Sequence, residues 1–355
     1  MILVLRIAPA IPRIGAAVTK RAASRLLMRS FLGMRFRYAI LFAFSVAAHA
    51  NNFRVADLVY LPAGGRVANF NTDVYLSNPN NERVSVSVAF APQGVEDNSA
   101  VTAAAHTLTV MEPGERRAIF DPLKTIFGLD AGLGQFIFFG CREGAPNCDC
   151  AASPGDCRGI SVEARVYATS SNCPNGATAC TTGQLFSGLP WYSYASKGAA
   201  NGYDKVFIAG VRHFGGRGVG GFRTNIGVAN ASQYSFTELR VTLFDSRGTQ
   251  LATGSFQLGP LGQAQKGFAD LFPGIGEIAT SAYVIVEQTS VTPTASAAAN
   301  GCADGCPGFF AYGSQLDNLT DDATTLEAQF FPSIGDTQLN CFFASHLPSR
   351  PARRR

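Results

Sequence analysis

Four cysteines crowd one stretch, Cys141-x6-Cys148-x-Cys150-x6-Cys157, and four thiolates are what a structural zinc ion takes. Zinc sites usually present their cysteines in pairs two to four residues apart, because a tight knuckle aims both sulfurs at one metal. The single residue between Cys148 and Cys150 makes a poor knuckle. Cys173 and Cys180 flank Pro174-Asn175-Gly176, a turn able to bring them together, and Cys302-x3-Cys306 forms a further close pair. These eight are read as disulfide partners that staple long loops, which stabilises a fold by restricting the unfolded chain. Connectivity within Cys141–Cys157 is not readable from spacing. The ninth cysteine, Cys341, stands apart and is the unpaired candidate. No metal and no cofactor is expected.

Other chemistry-bearing residues give weaker patterns. Gly216-Arg217-Gly218-Val219-Gly220-Gly221 spells a literal G-x-G-x-x-G, but phosphate binding needs a helix N-terminus to follow, and Phe222 to Ile226 reads as a strand. It is read as a glycine-rich hairpin. Asp317, Asp321 and Asp322 share one loop without the central Gly and terminal Glu of an EF-hand, so a solvated turn is preferred to a calcium site. His106, His213 and His346 lie in no G-x-S-x-G or H-E-x-x-H context, so no catalytic residue is assigned. Leu189-Pro190-Trp191-Tyr192-Ser193-Tyr194 is the binding candidate: exposed aromatics stack on sugar rings, and Trp191, Tyr192 and Tyr194 are its ligand-contacting residues. The competing reading buries them in a closing strand or an interdomain contact.

The elements that must position these residues repeat themselves. Phe70-Asn71-Thr72-Asp73-Val74-Tyr75-Leu76-Ser77-Asn78 matches Phe222 through Asn230. Val86 to Phe90 matches Arg240 to Phe244, Pro113-Gly114 matches Leu261-Gly262, and Phe136 to Phe139 matches Tyr283 to Val286. The offset stays between 147 and 154 residues, which is domain duplication rather than a solenoid. Val84-Ser85-Val86-Ser87-Val88-Ala89-Phe90 alternates with a period of two, and so does Ile160 to Val166. Short strands divided by Gly, Pro and Asn turns predict an all-β fold, two tandem antiparallel β-sandwich domains. One short helical turn is predicted per copy, Asp121 to Phe127 and Ala269 to Phe272. The expected boundaries are residues 51–195 and 204–345 for the domains, 196–203 for the linker and 346–355 for a basic tail.

The order F-x-T-x-x-x-L-x-N-P over Phe70–Pro79, then Pro113-Gly114, then Phe120-Asp121-Pro122-Leu123, resembles tandem Ig-like β-sandwich repeats of uncharacterised secreted bacterial proteins. The resemblance covers roughly residues 55–345. It implies a sandwich fold and brings no catalytic residue. The second copy departs at Phe268-Ala269-Asp270-Leu271, where the proline is missing.

Charge and order at the N-terminus bear on compartment. Residues 1–50 hold eight basic residues and no acid, leaving 21 Lys and Arg against 25 Asp and Glu in the rest. The body is therefore mildly acidic, at about −4, which argues against a nucleic-acid partner. Arg35 and Arg37, an apolar run and Ala48-His49-Ala50 have the order of a signal peptide cleaved after Ala50, with Met28 or Met34 as alternative starts. That run is too short for a transmembrane helix. The expected protein is secreted, periplasmic or on the cell surface. Its expected role is a non-catalytic adhesive or structural module, partnered by a cell-envelope protein or polysaccharide. The alternatives are a secreted hydrolase or inhibitor with a loop-built site, and a subunit of an envelope assembly.

Overall fold

Alternation in sequence becomes alternation in burial. In β4 (Val84–Pro92), Val84, Val86 and Val88 are fully buried while Ser85 and Ser87 face outward. A strand turns successive side chains to opposite faces, so this pattern demands a second layer over the valines. A computed structural model supplies it and describes residues 54–67, 69–145, 153–170, 180–197 and 203–332. The predicted signal peptide and basic tail, and Cys148, Cys150, Cys173 and Cys341, lie outside the described residues.

The fold is all-β, sandwich-like and antiparallel. One sheet joins β1 (Val55–Ala56), β8 (Ile160–Ser170), β3 (Phe70–Ser77) and β6 (Arg116–Phe120) in that order, with β9 (Cys180–Ser187) also on β8. The facing sheet runs β10 (Leu189–Pro190), β2 (Leu58–Arg66), β7 (Gly132–Arg142), β4 and β5 (His106–Met111). Phe136, Phe138, Leu61, Leu76, Val74 and Ile160 fill the space between them.

The second half holds nine strands in one connected sheet. Its path is β14 (Gln250–Leu258), β13 (Ser235–Phe244), β16 (Ile278–Pro293), β11 (Tyr203–Gly216), β12 (Gly220–Asn230), β17 (Phe309–Asp317) and β18 (Ala323–Glu327). β15 (Gln263–Gly267) pairs with β12, and β19 (Gln329–Pro332) pairs with β11. The turning strand is β11: its start pairs with β16 and its end, Phe214 to Gly216, pairs with β12. Register shifts on both sides of Val211, with Gly210 at φ 78°, bend it from one layer into the other. Val206, Ile208, Ile226, Val228, Val241 and Val284 are then buried in one core between the layers.

Two short helices sit near the predicted turns, Pro122–Thr125 and Phe268–Leu271. Asp121 caps the first, accepting from the Lys124 amide, and its own amide donates to Asp73 Oδ1 at 3.2 Å. The second has Gly267 at its N-cap, a residue with no side chain to accept from the first amides.

The two halves belong to one compact unit and share a small core of Tyr60, Ala89, Ile137, Leu261 and Phe310. Of the predicted linker, Ser196 donates its amide to the Tyr203 carbonyl and Lys197 donates its own to Gln288 Oε1. Ala195, just before them, exchanges two backbone hydrogen bonds with Phe309. Among the described residues no helix is long and apolar enough to cross a membrane.

Candidate functional site

The aromatic cluster after β10 is built from the edge of the first half. Leu189 and Pro190 pair with Tyr60 and Val59 of β2, and the Trp191 amide continues that pairing by donating to the Leu58 carbonyl at 3.0 Å. A turn then closes from the Ser193 amide to the Pro190 carbonyl at 2.8 Å. The turn throws Trp191 and Tyr192 outward, 47% and 52% exposed. Each ring is nonetheless held at its polar tip. Trp191 Nε1 donates to Asp57 Oδ1 at 2.9 Å, and the Tyr192 hydroxyl donates to the Val55 carbonyl at 3.0 Å. The rings meet edge to face, with centroids 5.8 Å apart at 79°.

That arrangement is a corner rather than a strip. A coplanar pair offers stacking faces to two successive sugar rings, whereas perpendicular rings offer one face and one wall. Anchored tips keep the apolar bodies from collapsing onto the surface, so less side-chain freedom is lost when a ligand docks. Tyr194 is placed apart. It is half-buried among the residues between the two halves, and its ring covers Gly308, where a Cβ would come within 3.0 Å.

The cysteines act as staples where they are described. Cys302 and Cys306 form a disulfide with Cα atoms 5.0 Å apart. Cys141, Cys157 and Cys180 are disulfide-bonded as well, and Cys141 and Cys157 face each other as bridge partners in the backbone. A disulfide sulfur has no thiolate to offer zinc.

The remaining candidates resolve into structural parts. Gly216 to Gly220 is the hairpin between β11 and β12, and no helix follows. In the acidic loop, Asp317 Oδ1 accepts from the Leu319 and Thr320 amides, while Asp321 pairs with Arg217 at 3.0 Å and Arg223 at 2.5 Å. These guanidiniums, Arg223 first, hold the Asp321 carboxyl below its ordinary range. His213 stacks on Phe268 with centroids 4.6 Å apart, and burial lowers its pKa. His106 lies edge-on to Phe127. Among the described residues neither histidine makes a hydrogen bond to a Ser, Thr or Cys, and no cluster of acids, histidines and cysteines is suited to a metal.

No family model matches the chain, and no curated protein matches it. Among solved structures it is similar to a Bacteroides uniformis beta-glucuronidase 2 covalently bound to cyclophellitol-6-carboxylate aziridine. The identity is 7% and the TM-score 0.14, over 78% of this chain and 26% of that one. A likeness at that level carries no argument about fold or activity.

Proposed function

We propose that the protein is an exported, non-catalytic surface or extracellular module of two tandem β-sandwich domains, and that it binds a cell-envelope polysaccharide through Trp191 and Tyr192. The observation that carries the binding half is the anchored, exposed aromatic pair. A surface that spends two hydrogen bonds on holding large apolar rings in water is organised for contact.

Duplication is supported by strand pairing. The order β10-β2-β7-β4-β5 recurs as β19-β11-β16-β13-β14, and β6-β3-β8-β9 recurs as β15-β12-β17-β18. Both series also keep a buried asparagine at the end of the equivalent strands β3 and β12. Asn78 Nδ2 donates to the Glu82, Met111 and Glu112 carbonyls, and Asn230 Nδ2 to those of Ser235 and Gly259. Export is supported by the disulfide-bonded cysteines, since such bonds persist mainly in oxidising compartments.

Co-sedimentation of the purified protein with insoluble envelope polysaccharides tests the reading. Saturable pelleting that survives moderate salt and is lost in Trp191→Ala is expected, because stacking is not screened as exposed charge is. Failure to pellet with any envelope fraction would overturn it.

A further inference from the structure

Between the two halves lies an open groove of about 540 Å³, a size suited to a small ligand. One wall is the segment Gln93 to Glu96 of the first half. The other comes from β13, β14, the start of β15, and Ser290 and Thr292 of β16 in the second. The walls are seated on each other closely. A Cβ on Gly259 would fall 1.6 Å from the Glu96 carbonyl oxygen, and the Asn98 amide donates to the Pro260 carbonyl at 3.1 Å.

The lining has a distinct chemistry. Its residues include Glu96 and Glu238, Gln93, Gln257 and Gln263, and Phe236, with no lysine or arginine. Gln263 is only 2% exposed. Its Nε2 donates to the Tyr312 hydroxyl at 2.8 Å, while its Oε1 is buried with no hydrogen-bond partner among the described residues.

We infer that this groove is a second saccharide subsite, selective for sugars that carry free amines. The assignment rests on the polysaccharide-binding reading above for the saccharide class; the charge preference is independent of it. Planar amides pair with sugar hydroxyls, the Phe236 ring offers an apolar face, and two unopposed carboxylates attract ammonium groups and repel uronates, sulfates and phosphates.

The test is calorimetric titration of the full chain at about pH 6. The probes are a soluble glucosamine oligomer, a glucose oligomer and a galacturonate oligomer of equal length. The glucosamine oligomer is expected to bind, the glucose oligomer more weakly, and the galacturonate oligomer not at all. Replacing both acids, Glu96→Gln with Glu238→Gln, is expected to weaken glucosamine binding about tenfold, from two partly exposed charge contacts. Gln257→Ala, an exposed change, gives an independent loss should the double variant fail to fold. Equal binding of galacturonate, no glucosamine binding, or an unchanged constant in both variants would overturn the subsite. Trp191 is the chain's single tryptophan, so its fluorescence reports the aromatic corner and not the groove. Titration that persists in Trp191→Ala while pelleting is lost keeps the groove as a site of its own. Titration lost in Trp191→Ala but intact in the double variant moves the ligand to the aromatic corner.

Discussion

The side-chain amide of Gln135, on β7 of the first half, donates to the carbonyl of Leu261, in the turn between β14 and β15 of the second, at 2.6 Å. The same nitrogen reaches the Asn230 carbonyl at 3.2 Å, and Gln135 is completely buried. Leu261 holds a left-handed φ of 49°, unusual for a branched side chain, and is itself buried against Tyr60 and Phe310. The two halves are thus joined by a polar clasp inside an apolar contact, where a lost partner is expensive.

Gln135→Leu should therefore destabilise the whole unit by about 3 kcal/mol, since it strands two carbonyls in a dry interface. Urea unfolding followed by circular dichroism measures this. A midpoint unchanged from the parent would mean that the halves do not depend on the clasp.

Asn78→Ala should cost about 3 kcal/mol, because one side chain serves the Glu82, Met111 and Glu112 carbonyls and also accepts from the Asn80 amide. Asn230→Ala should act alike in the second half. Thermal melting of the two single variants checks both, and a shift of less than a degree in either would contradict the role.

Asp57→Ala releases the Trp191 indole without touching a core. Polysaccharide pelleting should weaken severalfold, while the melting temperature stays within the range of an ordinary surface change, about 0.5 kcal/mol. A large drop in stability instead would show that the tryptophan holds the edge strand in place rather than a ligand.

Stability should fall in acid through the 317–322 loop. Arg223 and Arg217 lower the Asp321 pKa in the folded state below its unfolded value of about 3.9. The stabilisation is therefore present above that pH and is lost as pH falls through the folded value. Asp321→Asn keeps a residue tolerant of the φ of 58° found there and removes only the charge. Urea midpoints between about pH 5 and pH 2.5 should show a shallower acid slope in the variant.

The Cys302–Cys306 bond ties residues four apart in the sequence. Replacing both by serine should cost about 2 kcal/mol, the loop-closure contribution of so short a segment. Unfolding of the variant beside the parent, under oxidising conditions, reads that difference.

Much of the scaffold was legible because it is written in local rules. The Val84–Phe90 alternation placed a strand and its buried face, and the motif shared by Phe70–Asn78 and Phe222–Asn230 marked two strands that each end in a buried asparagine. The Gly216–Gly221 run was readable as a hairpin from the strand that follows it. Tyr194 was not separable from Trp191 and Tyr192, since three aromatics in six residues look alike until a turn sends two outward and one inward. Glu96, Glu238 and Gln263 gave no signal at all. Each is an ordinary polar residue in its own segment.

What the sequence alone determined was the type of element, its spacing and the recurrence of both, because side-chain periodicity and turn chemistry act over a few residues. The tertiary structure decided which elements face each other. It turned β11 at Gly210 to wrap nine strands around one core, and it pressed Glu96 against Gly259 to form the groove. Those contacts depend on shape and burial summed over distant segments, and no local pattern encodes a sum of that kind.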